Sequence, residues 1–502
     1  MNLHKLFEGT EYKVVLGDED FSINKITDNT NEVEEDDVFF CIKGYNFDGH
    51  NFIDLVLKKG AKVIVVNEDF ENKIDKNLDC IFVVVKDTRK ALSIASINFY
   101  GNAHKNFKLI GVTGTNGKTT TTFILREIFS NAGFKTGLIG TISNFINDRK
   151  IKSERTTPGA LQLNENFSEM AKEKVEYCFM EVSSHALELD RIYGINFDYG
   201  IFTNLTQDHL DFHKNFSDYF NAKFKLFENS KIKIINFDDL YGKKIIDAYA
   251  MQNNVITYGI KNLSSDFYAS DFNFKSNETN FKFNDRVQGN CYEFLYNLVG
   301  EFNIYNALPA IIIAINEGIA INVIAESLKN VFIIGRLENV SKRYNLNSHI
   351  YLDYAHTPDG LENCLNTLRK ISTGRLICLV GCGGDRDRIK RPLIGEISTQ
   401  LSDYVYITSD NPRSEDPEKI IEDIVSGIKK SNYEVVVNRF DAIKKSIKNR
   451  IENDIILIAG KGHEDYQILK DKVIHFDERE IIDEILSEEN KSYFKKAWFE
   501  WH

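Results

Sequence analysis

The chain has 502 residues, more than one hydrophobic core can organise, and at roughly 150 residues per domain its length predicts about three domains. Hydrophobic residues at 42% and charged residues at 27%, with only 6 prolines and 30 glycines, exclude a disordered or collagen-like chain. The 62 Lys and Arg against 74 Asp and Glu leave a charge of −12, and with no basic block of five or six residues a general nucleic-acid-binding surface is excluded.

The longest apolar runs, such as Pro309-Ala-Ile-Ile-Ile-Ala-Ile315, fall short of the ~18 residues of a membrane span, and the opening Met1-Asn-Leu-His-Lys5 has no signal-peptide core. A cytoplasmic protein without membrane insertion is expected. The 7 cysteines are odd in number and scattered, which reads as reduced thiols and no zinc site.

From residue 1 to about 103, short apolar runs (Ala61-Lys-Val-Ile-Val-Val66, Ile81-Phe-Val-Val-Val85) alternate with a helical pattern over 52–59, predicting a small α/β unit with no evident chemistry. From 104 to 335 the chain opens on the strand-like Lys108-Leu-Ile-Gly-Val-Thr113, a Gly-rich turn and a helix over 121–131, the pattern of a nucleotide-binding core. From 336 to 502 three buried-strand runs, Leu376-Ile-Cys-Leu-Val380, Tyr404-Val-Tyr-Ile-Thr408 and Ile455-Ile-Leu-Ile-Ala459, each enter a polar loop. In an open parallel sheet ligands sit beyond the carboxyl ends of the strands, so these loops should converge on a site. Five of the six prolines, at 158, 358, 392, 412 and 417, fall in or beside polar loops whose geometry a fixed φ would hold.

The sharpest motif is Gly111-Val-Thr-Gly-Thr-Asn-Gly-Lys-Thr-Thr120. The backbone N–H groups of Gly114, Thr115, Asn116, Gly117, Thr119 and Thr120, with the start of the next helix, can cradle phosphates; Lys118 can neutralise them and the Thr119 hydroxyl can bind Mg²⁺. ATP is the natural ligand. Val112 stands where the strict G-x-x-x-x-G-K-[ST] pattern has its first glycine. The run Tyr177-Cys-Phe-Met-Glu-Val-Ser-Ser-His185 ends a strand on an acid, and Glu181 is placed to bind a metal opposite the phosphate loop. In Thr203-Asn-Leu-Thr-Gln-Asp-His-Leu-Asp211, His209 could reach the same ions, although such a histidine alone reads as structural. Lys223, in Asn221-Ala-Lys-Phe224, reads by itself as a solvated helix lysine.

Together these motifs resemble the Mur ligases, ATP-dependent amide-forming enzymes of peptidoglycan precursor synthesis. The resemblance extends through Asp48-Gly-His50, Gly300-Glu-Phe-Asn-Ile-Tyr-Asn306, Gly335-Arg-Leu-Glu338 and Asp353-Tyr-Ala-His-Thr-Pro358. Thr156-Thr-Pro158, Gly381-Cys-Gly-Gly-Asp-Arg-Asp387, Asp410-Asn-Pro-Arg413 and Gly460-Lys-Gly-His-Glu464 are similar to the MurE type, which adds the third stem-peptide residue to UDP-N-acetylmuramoyl-L-alanyl-D-glutamate. The resemblance implies a three-domain α/β architecture: a UDP-binding domain over 1–103, a central P-loop ATPase domain over 104–335, and a doubly wound, Rossmann-like amino-acid-binding domain over 336–502. It implies a carbamylated Lys223 that helps hold Mg²⁺ with Glu181 and His209, Asn303 and Arg336 near the nucleotide, and Thr156, Thr157, Ser183 and Arg191 on the UDP-muramoyl dipeptide. Two departures stand out: Asp28-Asn29-Thr30 replaces the usual Asp-Ser-Arg of the uridine contact, and Leu189 replaces a frequent glutamine.

Arg413 can take a carboxylate in bidentate fashion with Asn411 as a second donor, fixed by Pro412, while Asp410 and Glu464 can accept from an ammonium. Arg386 and Gly460 belong to the same expected amino-acid site. Meso-diaminopimelate, or an isostere such as meso-lanthionine, brings both charges at its far end; L-lysine would leave Arg413 unpaired. The expected activity is therefore ligation of such a diamino diacid through an acyl phosphate by a monomeric enzyme. The rivals are a lysine-adding ligase, a folylpolyglutamate synthase, which lacks the UDP-binding domain that precedes Gly111 here, and a non-catalytic P-loop switch.

Overall fold

In the computed structural model, residues 1–44, 47–208, 212–275, 278–344 and 346–500 are described, the side chains to residue 489. The chain forms two compact units. The first comprises Met1–Thr113, Ala132–Ile201 and Asn221–Lys233; the second comprises Gly114–Asn131, Phe202–Phe220 and Ile234–His502.

The first unit holds a five-stranded sheet in the order Tyr12–Leu16, Ile81–Val85, Val63–Asn67, Val38–Phe40, Ile26–Thr27, antiparallel at its first pair and parallel after it. Its strands are apolar on both faces. Val63, Val65, Ile81, Val83 and Val85 pack into one buried cluster, and Ile64, Val66, Phe82 and Val84 into another. Side chains alternate across a strand, so a continuous apolar run requires cover on both sides. The helical pattern over 52–59 resolves into a 3₁₀ turn, Gly49–Phe52, and the short helix Ile53–Lys58. The same unit carries Lys108–Thr113 parallel to Tyr177–Glu181, which pairs in parallel with Thr136–Ile139. An antiparallel edge follows through Asn144–Ile146 and Arg149–Ile151.

The second unit begins at the Gly-rich loop. The helix behind it is Lys118–Asn131, starting three residues earlier than the apolar periodicity shows, because Lys118, Thr119 and Thr120 are polar yet helical. Pro309 lies inside the buried helix Glu301–Asn316. A hairpin ladder, Phe267–Phe274, Thr279–Asp285 and Asn290–Tyr296, is antiparallel.

The carboxyl-terminal sheet has the order Glu338–Asn339, His349–Asp353, Ile455–Ala459, Leu376–Val380, Tyr404–Ile407, Tyr433–Val435, parallel except at its first pair. Leu376, Cys378, Val380, Ile455, Leu457 and Ala459 face one core, with Leu361, Leu365, Ile394 and Ile424 from the helices Pro358–Ile371, Lys390–Leu401 and Pro417–Val425. Ile377, Leu379, Ile456 and Ile458 face the other, with Ile443, Ile447, Ile482 and Ile485. This is the doubly wound layering expected from three consecutive buried-strand runs. Three of its strands, Leu376–Val380, Tyr404–Ile407 and Ile455–Ala459, are the runs singled out in the sequence. Among the described residues no helix is long and apolar enough to cross a membrane.

Candidate active site

Within the second unit the phosphate loop is held open by its own backbone. Gly114 and Gly117 have φ of +152° and +91°; a Cβ on Gly114 would stand 1.8 Å from Thr203 Oγ1, and one on Gly117 2.2 Å from Asn306 Oδ1. Only glycine fits either position. The Asn116 N–H donates to Asn204 Oδ1 at 2.9 Å, the Thr203 hydroxyl donates to Asn116 O at 2.6 Å, and Asn116 Nδ2 donates to Asp359 Oδ2 at 2.7 Å. Lys118 Nζ donates to Gly114 O at 2.9 Å and Thr115 O at 2.8 Å, so its ammonium lies along the loop.

Arg336 Nη2 donates to Thr119 Oγ1 at 3.2 Å, and its guanidinium stacks on the Tyr354 ring at 4.9 Å. Asn303 is fully buried on the helix that supplies Asn306, and donates to Val299 O at 2.9 Å. The phosphate loop, Asn306 and Arg336 are thus one cluster, with Asn303 one helical turn behind. Asp359 joins them from the first turn of Pro358–Ile371; the expected site omits it, although it follows directly on the quoted Asp353 to Pro358 run.

A second cluster lies within the first unit. Glu181, fully buried at its strand end, accepts from the Thr141 N–H at 2.8 Å and the Thr141 hydroxyl at 2.9 Å. Thr156 Oγ1 lies 3.0 Å from Thr141 Oγ1, and the Thr157 hydroxyl donates to Glu181 O at 2.8 Å and accepts from the Ser183 N–H at 3.0 Å. Arg191 Nη1 donates to Thr157 O at 3.0 Å; burial, then Arg155 and Arg89, pulls its pKa down to about 10. Five of the expected residues therefore meet: Glu181, Thr156, Thr157, Ser183 and Arg191. Gly140 is needed here, since a Cβ would stand 2.4 Å from Glu181 Oε1.

Lys223 corrects the reading of its residue type. It lies in Phe216–Glu228 with only 1% of its surface exposed, so it is not a solvated helix lysine. A lysine is almost never buried to this degree without a specific partner. His209 lies outside the described residues, and among those described no group of three His, Cys, Asp or Glu side chains is arranged to hold a metal. In the amino-terminal region both ring nitrogens of His50 are engaged, Nδ1 with Asp48 Oδ1 at 2.6 Å and Nε2 with the Asn67 N–H at 3.2 Å.

The third cluster is at the carboxyl edge of the last sheet. Gly384 N–H donates to Asn411 O at 2.9 Å, and Arg413 Nη1 donates to Gly384 O at 2.7 Å. Fully buried Arg391 donates to both oxygens of Glu415, at 2.8 and 3.0 Å, and to Asp423, joining the 381–388 loop to the 410–415 loop. Arg413 itself has φ of +51°, and Gly383 makes room for it: a Cβ there would stand 2.8 Å from Arg413 Nη1 and 3.8 Å from Arg386 Cγ. Burial lowers the Arg413 pKa, and Arg386 lowers it further. The Arg413 guanidinium and the Arg386 side chain thus approach one glycine with like charges, an arrangement a carboxylate would relieve. Asn411 Nδ2 donates to Glu464 Oε2 at 2.9 Å, and Gly460, with φ of +117°, lets Asp410 approach. Burial pushes the Glu464 carboxyl up, opposed by Lys461, which the expected site omits.

Behind these loops Arg439 and Glu478 form a fully buried pair. Arg439 Nε donates to Glu478 Oε1 at 2.7 Å and Nη2 to Ala459 O at 2.9 Å, at the end of a loop-bearing strand. Removing one partner of such a pair strands a charge and costs about 3–5 kcal/mol. Arg439→Met should therefore lower the denaturant midpoint strongly, whereas Arg439→Met with Glu478→Leu should recover most of it.

Comparison with known proteins places the whole chain in one family. Residues 22–100 match the model for "Mur ligase family, catalytic domain", 112–314 that for "Mur ligase middle domain", and 335–462 that for "Mur ligase, glutamate ligase domain". The UDP-N-acetylmuramoyl-L-alanyl-D-glutamate--2,6-diaminopimelate ligase of Clostridium perfringens is 50% identical over 489 residues, 97% of this chain and 99% of that protein. The chain belongs to the Mur ligase family. A solved structure of a ligase with the same printed name superposes with a TM-score of 0.69 at 28% identity, covering 98% of this chain and 99% of the other. Folylpolyglutamate synthase of Mycobacterium tuberculosis, solved with ADP and AMPPCP, shares the fold at a TM-score of 0.62 and 16% identity over 74% of this chain. As a Mur ligase the protein is an ATP-using enzyme that joins an acid to an amine.

Proposed function

We propose that this Mur ligase adds meso-2,6-diaminopimelate to the D-glutamyl γ-carboxylate of UDP-N-acetylmuramoyl-L-alanyl-D-glutamate in peptidoglycan precursor synthesis. The observation that carries the substrate is the loop that brings the Arg413 guanidinium and the Arg386 side chain to Gly383, set near buried Asp410 and half-buried Glu464. That loop offers opposite charges to an amino-acid centre, and 2,6-diaminopimelate has one at its far end. The printed name of the 50% identical Clostridium perfringens relative supports the same reading.

In this reading the reaction proceeds in two steps. The γ-carboxylate attacks the terminal phosphoryl group of ATP to give an acyl phosphate and ADP, and the diamino acid's amine then displaces phosphate to form the amide. Lys118 offsets charge on the transferring phosphoryl group, and Arg336, against Thr119, borders the same loop. Thr156, Thr157, Ser183 and Arg191 bind the UDP-muramoyl dipeptide, and Arg191 supplies the charge for its anionic groups. Mg²⁺ would supply Lewis-acid stabilisation of the phosphates. Such an ion takes hard oxygen donors, which the Glu181 carboxylate, the Thr119 hydroxyl and a carbamate on Lys223 would offer, and His209 is a further candidate ligand by resemblance. The three larger sheets, over 12–85, 108–296 and 338–459, support domains at 1–103, 104–335 and 336–502.

The test is phosphate release from ATP by the full chain, with UDP-muramoyl dipeptide and one of diaminopimelate, L-lysine or meso-lanthionine. Release should require both the dipeptide and a diamino diacid, and be weakest with lysine; release without either acceptor would overturn the reading. Selectivity should reside in Arg413. Loss of a charge-assisted bidentate contact is on the order of 3 kcal/mol, so Arg413→Ala should lower kcat/KM for diaminopimelate about a hundredfold and leave lysine nearly unchanged. Equal losses for both amino acids would reduce the arginine to a support for its loop.

A further inference from the structure

Lys461 is a side chain of the carboxyl-edge cluster that the proposed reaction leaves unused. It is fully buried. Its Nζ lies 3.1 Å from Asn411 Oδ1, 3.2 Å from Glu464 Oε2 and 3.7 Å from Asp410 Oδ1, and 5.6 Å from the centre of the Tyr466 ring. An ammonium has three protons to donate, and here three oxygens surround it over an aromatic face. These are the same carboxylates that face the ammonium of an incoming amino acid, so the chain carries its own ammonium at their side.

The charges that act on one another there include the cations Lys461, Arg413, Arg386 and Arg439 and the carboxylates Asp410, Glu464, Glu478 and Asp385, which balance. A ligand whose far end is zwitterionic leaves that balance unchanged. A ligand whose far end is a bare ammonium tips it, beside a fully buried lysine where charge interactions are poorly screened. Discrimination by repulsion of the wrong ligand is as effective as attraction of the right one.

We propose that Lys461 is a selectivity-determining positioning residue: its buried ammonium pre-neutralises Asp410 and Glu464, so that a diamino acid is accepted only if it also brings a carboxylate for Arg413 and Arg386. The inference rests on the diaminopimelate reading of this site. Lys461 acts through the two carboxylates and through Asn411, whose Nδ2 is oriented onto Glu464 while its Oδ1 accepts from the lysine.

The experiment compares the full chain with Lys461→Gln and Lys461→Arg, reading kcat/KM for meso-diaminopimelate and for L-lysine, with the KM for ATP and the melting temperature alongside. Lys461→Gln should raise use of L-lysine in absolute terms by about tenfold or more, as expected when a competing like charge leaves a shielded site, with the KM for ATP unchanged. Lys461→Arg, which keeps the charge, should retain the wild-type preference. A purely structural lysine would lower both substrates together and could not increase either. If the glutamine variant does not fold, Lys461→Met, which keeps the length of the stem, carries the same expectation. Parallel losses for the two amino acids, or unchanged lysine use, would overturn the proposal. Wild-type enzyme that fails to use diaminopimelate would instead remove the reading on which it rests.

Discussion

Lys118→Ala is expected to lower kcat for ligation by about a hundred- to a thousandfold, the loss typical when a single charge-stabilising donor is taken from a transition state. The lysine lies along the loop carbonyls of Gly114 and Thr115, where its three donors are already oriented beside the cradle of N–H groups. The loop itself should survive the substitution, because Gly114, Gly117, Thr203 and Asn204 hold it through backbone and neutral side-chain contacts. Activity should therefore collapse with little change in melting temperature. Phosphate release and thermal unfolding measured on one preparation check this, and ligation persisting within tenfold of wild type would remove the phosphate-loop assignment.

For Lys223→Ala the expected loss is of similar size, at least about a hundredfold, with partial restoration by a small carboxylic acid. Burial to 1% exposure makes an ordinary solvated role untenable. Carbamylation replaces the ammonium by an anion, which suits a metal-facing position and inverts what the side chain offers a phosphate. Inactivity alone would fit loss of a cation equally well; rescue by an acid would not. Native mass measurement of the wild-type protein supplies the second check: a CO₂ adduct lost on Lys223→Ala is expected, and a wild-type mass without any adduct would count against the carbamate.

Much of this protein is determined locally. The apolar runs at 108–113, 376–380 and 455–459 are buried on both faces and could only be interior parallel strands, because alternation along a strand leaves no polar face for solvent. The glycines of the phosphate loop and the Asp410 to Arg413 turn carry chemistry in their residue types, so their roles are legible without coordinates. The antiparallel ladder over 267–296 is local as well: burial alternates over 279–285, and strands adjacent along the chain pair, Phe274 opposite Thr279 and Asp285 opposite Asn290.

What only the tertiary structure decided is the company each charge keeps. Lys223 and Lys461 have ordinary surroundings in sequence, yet both are buried; Arg391 and Arg439 are as deeply buried, each against carboxylates 24 to 39 residues away. Asp359 reaches Asn116 across 243 residues. Sequence alone fixes which groups can ionise or accept a proton. Burial removes the water that would otherwise screen them, so their partners, and hence their effect on a ligand, depend on a packing that only the folded chain creates.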